Sequence, residues 1–501
     1  MRIAAIILAD FRIRFRRLST LVIFLLLSAM AYAWVPDPAT GRALLQINGQ
    51  RALYNSAAVG MATAALCGLF IGLVGFYVIS NTIGRDARSR CGFVIASTNA
   101  GSLEYLIGKF AGNVVFLATF TFGFMCSSML MILVRGEAAL QPFIFAKQYL
   151  LIVPSVIVSV SAIALLFESI PFLSGRFGDV AYFFVWIVLL GVTVSAIENG
   201  GSPGIYGAFD ISGLGFMIHS LKHQLHTSSI SVGAMTFDAH KGTFIFDGLH
   251  LTRAWIVPRL LSMLMPVPIL LLSRVFFHRF DPVRVKQSSV KQRDSVLARI
   301  NRLFKPLTAG SMSLVARGRG PSLVRSAVAD ALLTITAAPL LALAMLLVSF
   351  VAPPYVVIAG LGIAIAGIAS RETQAGTSAL AFAAPYIQPR FVAFKLLSTL
   401  FVLLPFAVVP LLRSRSIGFA VGIFFLAAAA TFLGFVSSNA KTFTVLFLTF
   451  WYVAVNDKGA TPALDFAGFN HSATPLVTVT YALIALGFIA AAQATHAART
   501  N

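Results

Sequence analysis

The chain runs to 501 residues, 58% of them hydrophobic and only 11% charged, and no soluble domain hides that much apolar surface. Its net charge of +21 sits on loops that alternate along the chain, so positive-inside sorting and contact with anionic lipid explain it and nucleic acid is excluded as a partner. The three cysteines form no disulfide framework, since Cys67 and Cys126 lie in apolar runs and Cys91 in a charged loop.

A membrane span needs about 20 mostly apolar residues. Twelve segments read as spans, near 18–35, 57–80, 110–134, 148–167, 180–197 and 254–277, then 331–352, 355–370, 393–412, 416–436, 441–456 and 473–493. The fold class expected is therefore an all-α polytopic membrane protein of two six-helix pseudo-repeats. Residues 1–277 form the first six-span unit, 278–330 a basic cytoplasmic linker and 331–501 the second unit. Arg12, Arg14, Arg16 and Arg17 precede the first span, and Ala31-Tyr32-Ala33 closes it in a way that also fits a cleavable signal peptide. The apolar run is long enough to cross, which favours an uncleaved span. Gly68, Gly72 and Gly75 give the second span a small-residue stripe for close helix packing.

After the second span comes a charged loop that begins Arg85-Asp86, carries Arg88, Arg90, Gly92 and Glu104, and ends at Lys109 as an apolar run opens. A second loop begins Arg371-Glu372, passes Gly376 and Arg390, and ends at Lys395 in the same way. Arg to Lys spans 24 positions in both, with an aromatic residue (Tyr105, Phe391) four before each Lys, although the glycines between them do not align. With Arg85, Arg88, Arg90 and the central basic residues on one side, both termini are expected in the cytoplasm of a bacterial inner membrane.

The segment 198–253 is expected on the outer side. His219, His223 and His226 recur within one arc of a helix there, opposite Leu214, Met217, Ile218, Leu221 and Leu225. Three imidazoles on one face suit a zinc or copper ion; the plain alternative is a polar face rich in histidine. Thr243-Phe244-Ile245-Phe246 reads as a short strand after the turn His240-Lys241-Gly242. In the central segment Leu297, Ile300 and Phe304 fall on one face of a basic amphipathic helix suited to the inner leaflet.

Several chemistries are missing from the pattern. No span carries paired carboxylates or a His-Asp relay for proton-driven transport. Gly101 to Gly108-Lys109 fails as a nucleotide loop, because Phe110 stands where Ser or Thr must hold magnesium. No nucleophile with a matching base is discernible, so the chain is not expected to be an enzyme, and any nucleotide belongs to a separate subunit.

Arg85-Asp86-Ala87-Arg88, Gly92 and Glu104-Tyr105-Leu106-Ile107-Gly108-Lys109-Phe110, with the second frame of Arg371-Glu372, Gly376-Thr377, Pro385 and Lys395, resemble permeases of the type-2 ATP-binding-cassette exporter family. The resemblance implies that Arg85, Asp86, Arg88, Arg90, Glu104 and Lys109, and Arg371, Glu372, Arg390 and Lys395, belong to coupling loops. These would dock on a cytosolic ATPase, in two copies, that carries ATP and magnesium. It also implies interfacial elbow helices at 1–17 and about 318–330. Family members are commonly six-span half-transporters, whereas this chain reads as two fused units, the second shorter. The alternatives are a secondary carrier of the major facilitator kind, which a transport assay driven by an ion gradient alone distinguishes, and a permease-like relay that moves no substrate.

Overall fold

The chain divides into two compact units, Met1–Ser288 and Ser289–Asn501. The computed structural model describes residues 2–16, 18–198, 209–225, 230–249, 253–278, 280, 310, 313, 322–383, 387–459 and 461–500. The division falls inside the expected basic linker, and the amphipathic helix expected around 293–304 lies outside the described residues.

In the first unit the helices are α1 (Arg2–Phe15), α2 (Leu18–Trp34), α3 (Ser56–Phe70), α4 (Phe76–Ile79), α5 (Thr82–Arg88), α6 (Cys91–Ser97), α7 (Ser102–Arg135), α8 (Pro142–Ser169), α9 (Arg176–Glu198), α10 (Leu214–Leu225), α11 (Arg253–Leu264) and α12 (Pro266–Phe276). Asn55 starts α3 by accepting from the Ala58 amide, and a π-helical turn at Ile71–Gly75 joins α3 to α4. A Cβ on Gly72 would stand 2.9 Å from Trp186 Nε1, and the Tyr182 hydroxyl donates to the Gly72 carbonyl, so the glycine admits an aromatic pair against the wide turn.

The second unit has α13 (Leu323–Ala337), α14 (Pro339–Val351), α15 (Pro354–Ile365), α16 (Arg371–Ala375), α17 (Ser378–Phe382), α18 (Phe391–Ser414), α19 (Ile417–Ser437), α20 (Ala440–Asn456) and α21 (Pro475–Thr500). A run of three helices packs in the same order in each unit. In one, α1 packs on α7 and α7 on α8; in the other, α13 packs on α18 and α18 on α19.

All twelve expected spans fall on helices, and these differ in length and apolar character. Among the described residues, seven helices are long and apolar enough to cross a membrane: Ser56–Arg88, Ser102–Arg135, Pro142–Ser169, Ile256–Phe276, Gln388–Ser414, Ile417–Ser437 and Pro475–Ala498. The expected span at 331–352 is instead part of a pair, Leu323–Ala337 and Pro339–Val351, bent by 94°. Pro339 lacks the amide the helix needs and drives Ala338 out of the helical region, to φ −137° and ψ 67°. Counting that pair as one span gives eight. The helix Pro354–Ile365, with 12 residues, is only about 18 Å long at 1.5 Å per residue.

The chain is not wholly α. A four-stranded sheet of β1 (Arg42–Ile47), β2 (Gln50–Ala52), β3 (Ile230–Thr236) and β4 (Thr243–Phe244) has the order β3-β1-β2-β4. Asn48 and Gly49, both at positive φ (51° and 82°), turn β1 into β2, the backbone a two-residue Asn-Gly hairpin requires. β1 pairs antiparallel with β3 and β2 parallel with β4. The expected strand at 243–246 is thus present over its first two residues.

Candidate functional site: two charged loops and their ion clusters

The charged loops end in buried ion clusters, and each cluster centres on a carboxylate from a helix earlier in its unit. Asp10 is the one acidic residue of α1. It pairs with Arg14 on the same helix, with Arg85 on α5, and with Lys109 on α7 at 3.1 Å. Lys109 also pairs with Asp86 at 2.7 Å, and the Tyr105 hydroxyl donates to Asp86 at 2.8 Å. Asp330 is likewise the one acidic residue of α13. It pairs with Arg371 at 3.2 Å and with Lys395 at 3.3 Å, and it accepts from Ser398 Oγ at 2.6 Å. Lys395 pairs with Glu372 at 2.5 Å.

The two clusters correspond position by position. Arg85 and Arg371, Asp86 and Glu372, Tyr105 and Phe391, and Lys109 and Lys395 all differ by 286 in number. The ammonium lies over the matching ring in both, 5.6 Å from Tyr105 and 5.8 Å from Phe391. Close helix approach makes the first cluster possible, since a Cβ on Gly108 would stand 3.0 Å from Ile6 on α1. Burial costs a carboxylate its hydration and pushes its pKa up. At Asp10 the Arg14, Lys109 and Arg85 charges outweigh that burial and hold the group below its ordinary value. Buried ions persist only when paired in this way.

Between the fixed ends, each loop carries a short helix with one face packed inward. On α6, Ile95 and Ala96 lie half-buried beside Tyr105, Leu106 and Phe277. On α17, Ala381 and Phe382 pack beside Phe391 and Ala327. These positions again differ by 286, so the spatial frame holds through the loop although its glycines do not match. Gly92 is needed where it stands: a Cβ there would lie 2.5 Å from the Phe280 ring.

The residues expected in coupling loops therefore separate into two groups. Arg85, Asp86 and Lys109, with Arg371, Glu372 and Lys395, are spent on internal ion pairs, and the Lys395 side chain is fully buried. Arg88, Arg90 and Arg390 are exposed, and Glu104 lies half-buried in the first turn of α7. Both lysines sit on long helices rather than in the loops. Glu168 accepts from the Thr82 and Ile83 amides at 2.9 and 2.6 Å and so caps α5.

Asp10 and Asp330 escaped the sequence reading, though a lone carboxylate in an otherwise apolar and basic helix was the available signal. Arg259 on α11 was missed too. It is buried and donates to the Leu151 carbonyl at 2.9 Å, the Ile152 carbonyl, and the Asp210 carbonyl at 2.7 Å. Those first two acceptors lie in the turn ahead of Pro154, the proline inside α8.

The histidine helix is present as α10, with Phe216, Met217 and Leu221 buried. His219 is half-buried and His223 exposed, their rings nearly parallel at 6.5 Å. Burial first, and then His223, hold the His219 pKa below its ordinary value. His226 lies outside the described residues, and among the described residues no three His, Cys, Asp or Glu side chains stand close enough together to hold a metal ion. No family model, curated protein or solved structure matches the chain.

Proposed function

We propose that the chain is the permease subunit of an exporter of the type-2 ATP-binding-cassette kind, built from two fused six-span units and driven by a separate cytosolic ATPase. The observation that carries this reading is the twin loop: two segments of equal length from Arg to Lys, each clamped through its Arg and Lys to a carboxylate on a helix earlier in the same unit. A loop clamped at both ends moves as one body with the long helix it opens. That is the mechanical property a loop needs to pass ATPase motion into the membrane.

Charge placement supports an external energy source. In the seven long helices every carboxylate, namely Asp86, Glu104 and Glu168, lies in the first or last turn. Ion-driven carriers put such groups in the middle of the membrane. In this reading the twelve helical segments make two units of six, the short helices α15 and α20 completing the second. The loops and both termini face the cytoplasm, and the sheet and α10 face outward. ATP and magnesium reside on the partner, in two copies, and the exported substrate crosses between the spans.

Purification of the chain from its native membrane with its ATPase, followed by reconstitution in lipid vesicles, tests the reading. Transport is expected to require ATP, and the chain to stimulate ATPase turnover. Transport sustained by an ion gradient with no ATPase present overturns it.

A further inference from the structure

The clamped loop helices each expose one large aliphatic residue. Val94 on α6 is 67% exposed and Leu380 on α17 is 75% exposed. Their numbers differ by 286, the offset that relates the ion clusters and the inward faces Ile95-Ala96 and Ala381-Phe382. So at one position in each unit the chain fixes a helix, packs its inner side and leaves an aliphatic side chain standing free. Phe93, 37% exposed, widens the patch on the first loop.

We propose that Val94 and Leu380 are paired anchor residues, each seated in an apolar socket on one of two identical copies of a soluble partner, with an acidic rim around the socket. The proposal rests on the reading of these segments as docking loops and names their contact residues. Repetition at one frame position carries the inference of two like partners, since a surface residue without a role is free to differ. The rim follows from charge: the acids at the loop ends, Asp86 and Glu372, are consumed internally, so Arg88 and Arg90 on one loop and Arg390 on the other are the exposed charges. Complementary charge around an apolar anchor sets orientation and encounter rate.

Lipid is the competing occupant, and length argues against it. The helix Ser102–Arg135 has 34 residues, about 50 Å at 1.5 Å per residue, against a hydrocarbon core of about 30 Å. Its long apolar run begins after Lys109, so the excess length lies at the loop end. The first loop helix therefore stands beyond the hydrocarbon, and the frame shared by the two loops assigns the second to the same level.

Val94→Asp, Leu380→Asp and the double variant, with Val94→Ser and Leu380→Ser as milder controls, are purified with the ATPase and the bound copies counted. Each Asp change is expected to weaken its own contact about tenfold or more, the size of loss for a residue seated in a partner's pocket. Bound ATPase then falls from two copies toward one in the single variants and is lost in the double, while thermal unfolding of the chain is unchanged. A double variant that keeps both copies overturns the anchors while leaving the parent reading intact; a wild-type chain that binds no ATPase overturns both. Bimane attached to the exposed Cys91, in nanodiscs of phosphatidylcholine and phosphatidylglycerol carrying doxyl lipid, is expected to stay unquenched. Quenching there would assign the patch to lipid.

Discussion

Lys109 and Asp86 close the first loop on itself through a 2.7 Å ion pair, and Asp10 bridges the same ammonium at 3.1 Å from another helix. Asp10 is therefore a keystone, because removing it leaves Arg14, Arg85 and Lys109 facing one another in a buried site. Asp10→Asn is expected to cost about 3–5 kcal/mol, the usual loss when one partner of a buried pair is deleted. Asp330→Asn should cost less, because Asp330 meets two cations where Asp10 meets three, and one of them, Arg371, is 37% exposed. Unfolding midpoints in detergent check both. Adding Lys109→Met to Asp10→Asn should recover part of the loss, and strict additivity would argue that the pair is not coupled.

The exposed arginines should behave in the opposite way. Arg88→Glu and Arg390→Glu leave stability within about 0.5 kcal/mol, as reversals of solvated charges generally do. Both should lower the ATPase turnover of the reconstituted complex. Reversal at Arg85 is expected instead to reduce the yield of folded chain, so stability and turnover together separate clamp from contact.

At the sheet end of the first unit, Arg51 grips Glu137 through two contacts of 2.6 Å, and the Tyr54 amide donates to the same carboxylate at 3.0 Å. Hydrogen bonding to Arg51 holds the Glu137 pKa below its ordinary 4.5. A depressed carboxylate contributes stability that is present above its unfolded pKa and lost as pH falls through its folded one. The wild type should thus lose about 1 kcal/mol or less between pH 5 and the acid side of that range. Glu137→Gln should flatten this part of the profile, which thermal unfolding across pH measures directly.

Gly92 sets the seat of α6 against Phe280. Gly92→Val should displace the helix, and with it Val94, because the side chain would overlap the ring. Faster alkylation of Cys91 than in the wild type is the expected readout. An unchanged rate would show that Phe280 yields without moving the helix.

Much of this architecture is legible in the amino-acid order, because apolar runs must become helices in lipid and charged frames must leave it. The 24-residue spacing from Arg to Lys is visible without coordinates, and so is the aromatic four residues before each Lys. What the spacing cannot reveal is its purpose: Arg85, Lys109, Arg371 and Lys395 look like docking cations until Asp10 and Asp330 arrive from distant helices to consume them. Pro339 interrupts its apolar run and so marks a kink in the amino-acid order, but a proline does not tell how far the chain turns, here 94°. The sheet was missed for a related reason. β1 finds its partner β3 nearly two hundred residues away, and no local pattern announces so distant a pairing; Asn48-Gly49 was a local hairpin signal that the expected elements did not include.

The most direct test of the twin-loop account is sidedness. In a chain freed of Cys67, Cys91 and Cys126, single cysteines at Ser89 and Thr373, both exposed on the loops, are treated with a membrane-impermeant maleimide in right-side-out and inverted vesicles. The account predicts that both react only in inverted vesicles, from the cytoplasmic face. Labelling of the two positions from opposite faces would contradict it.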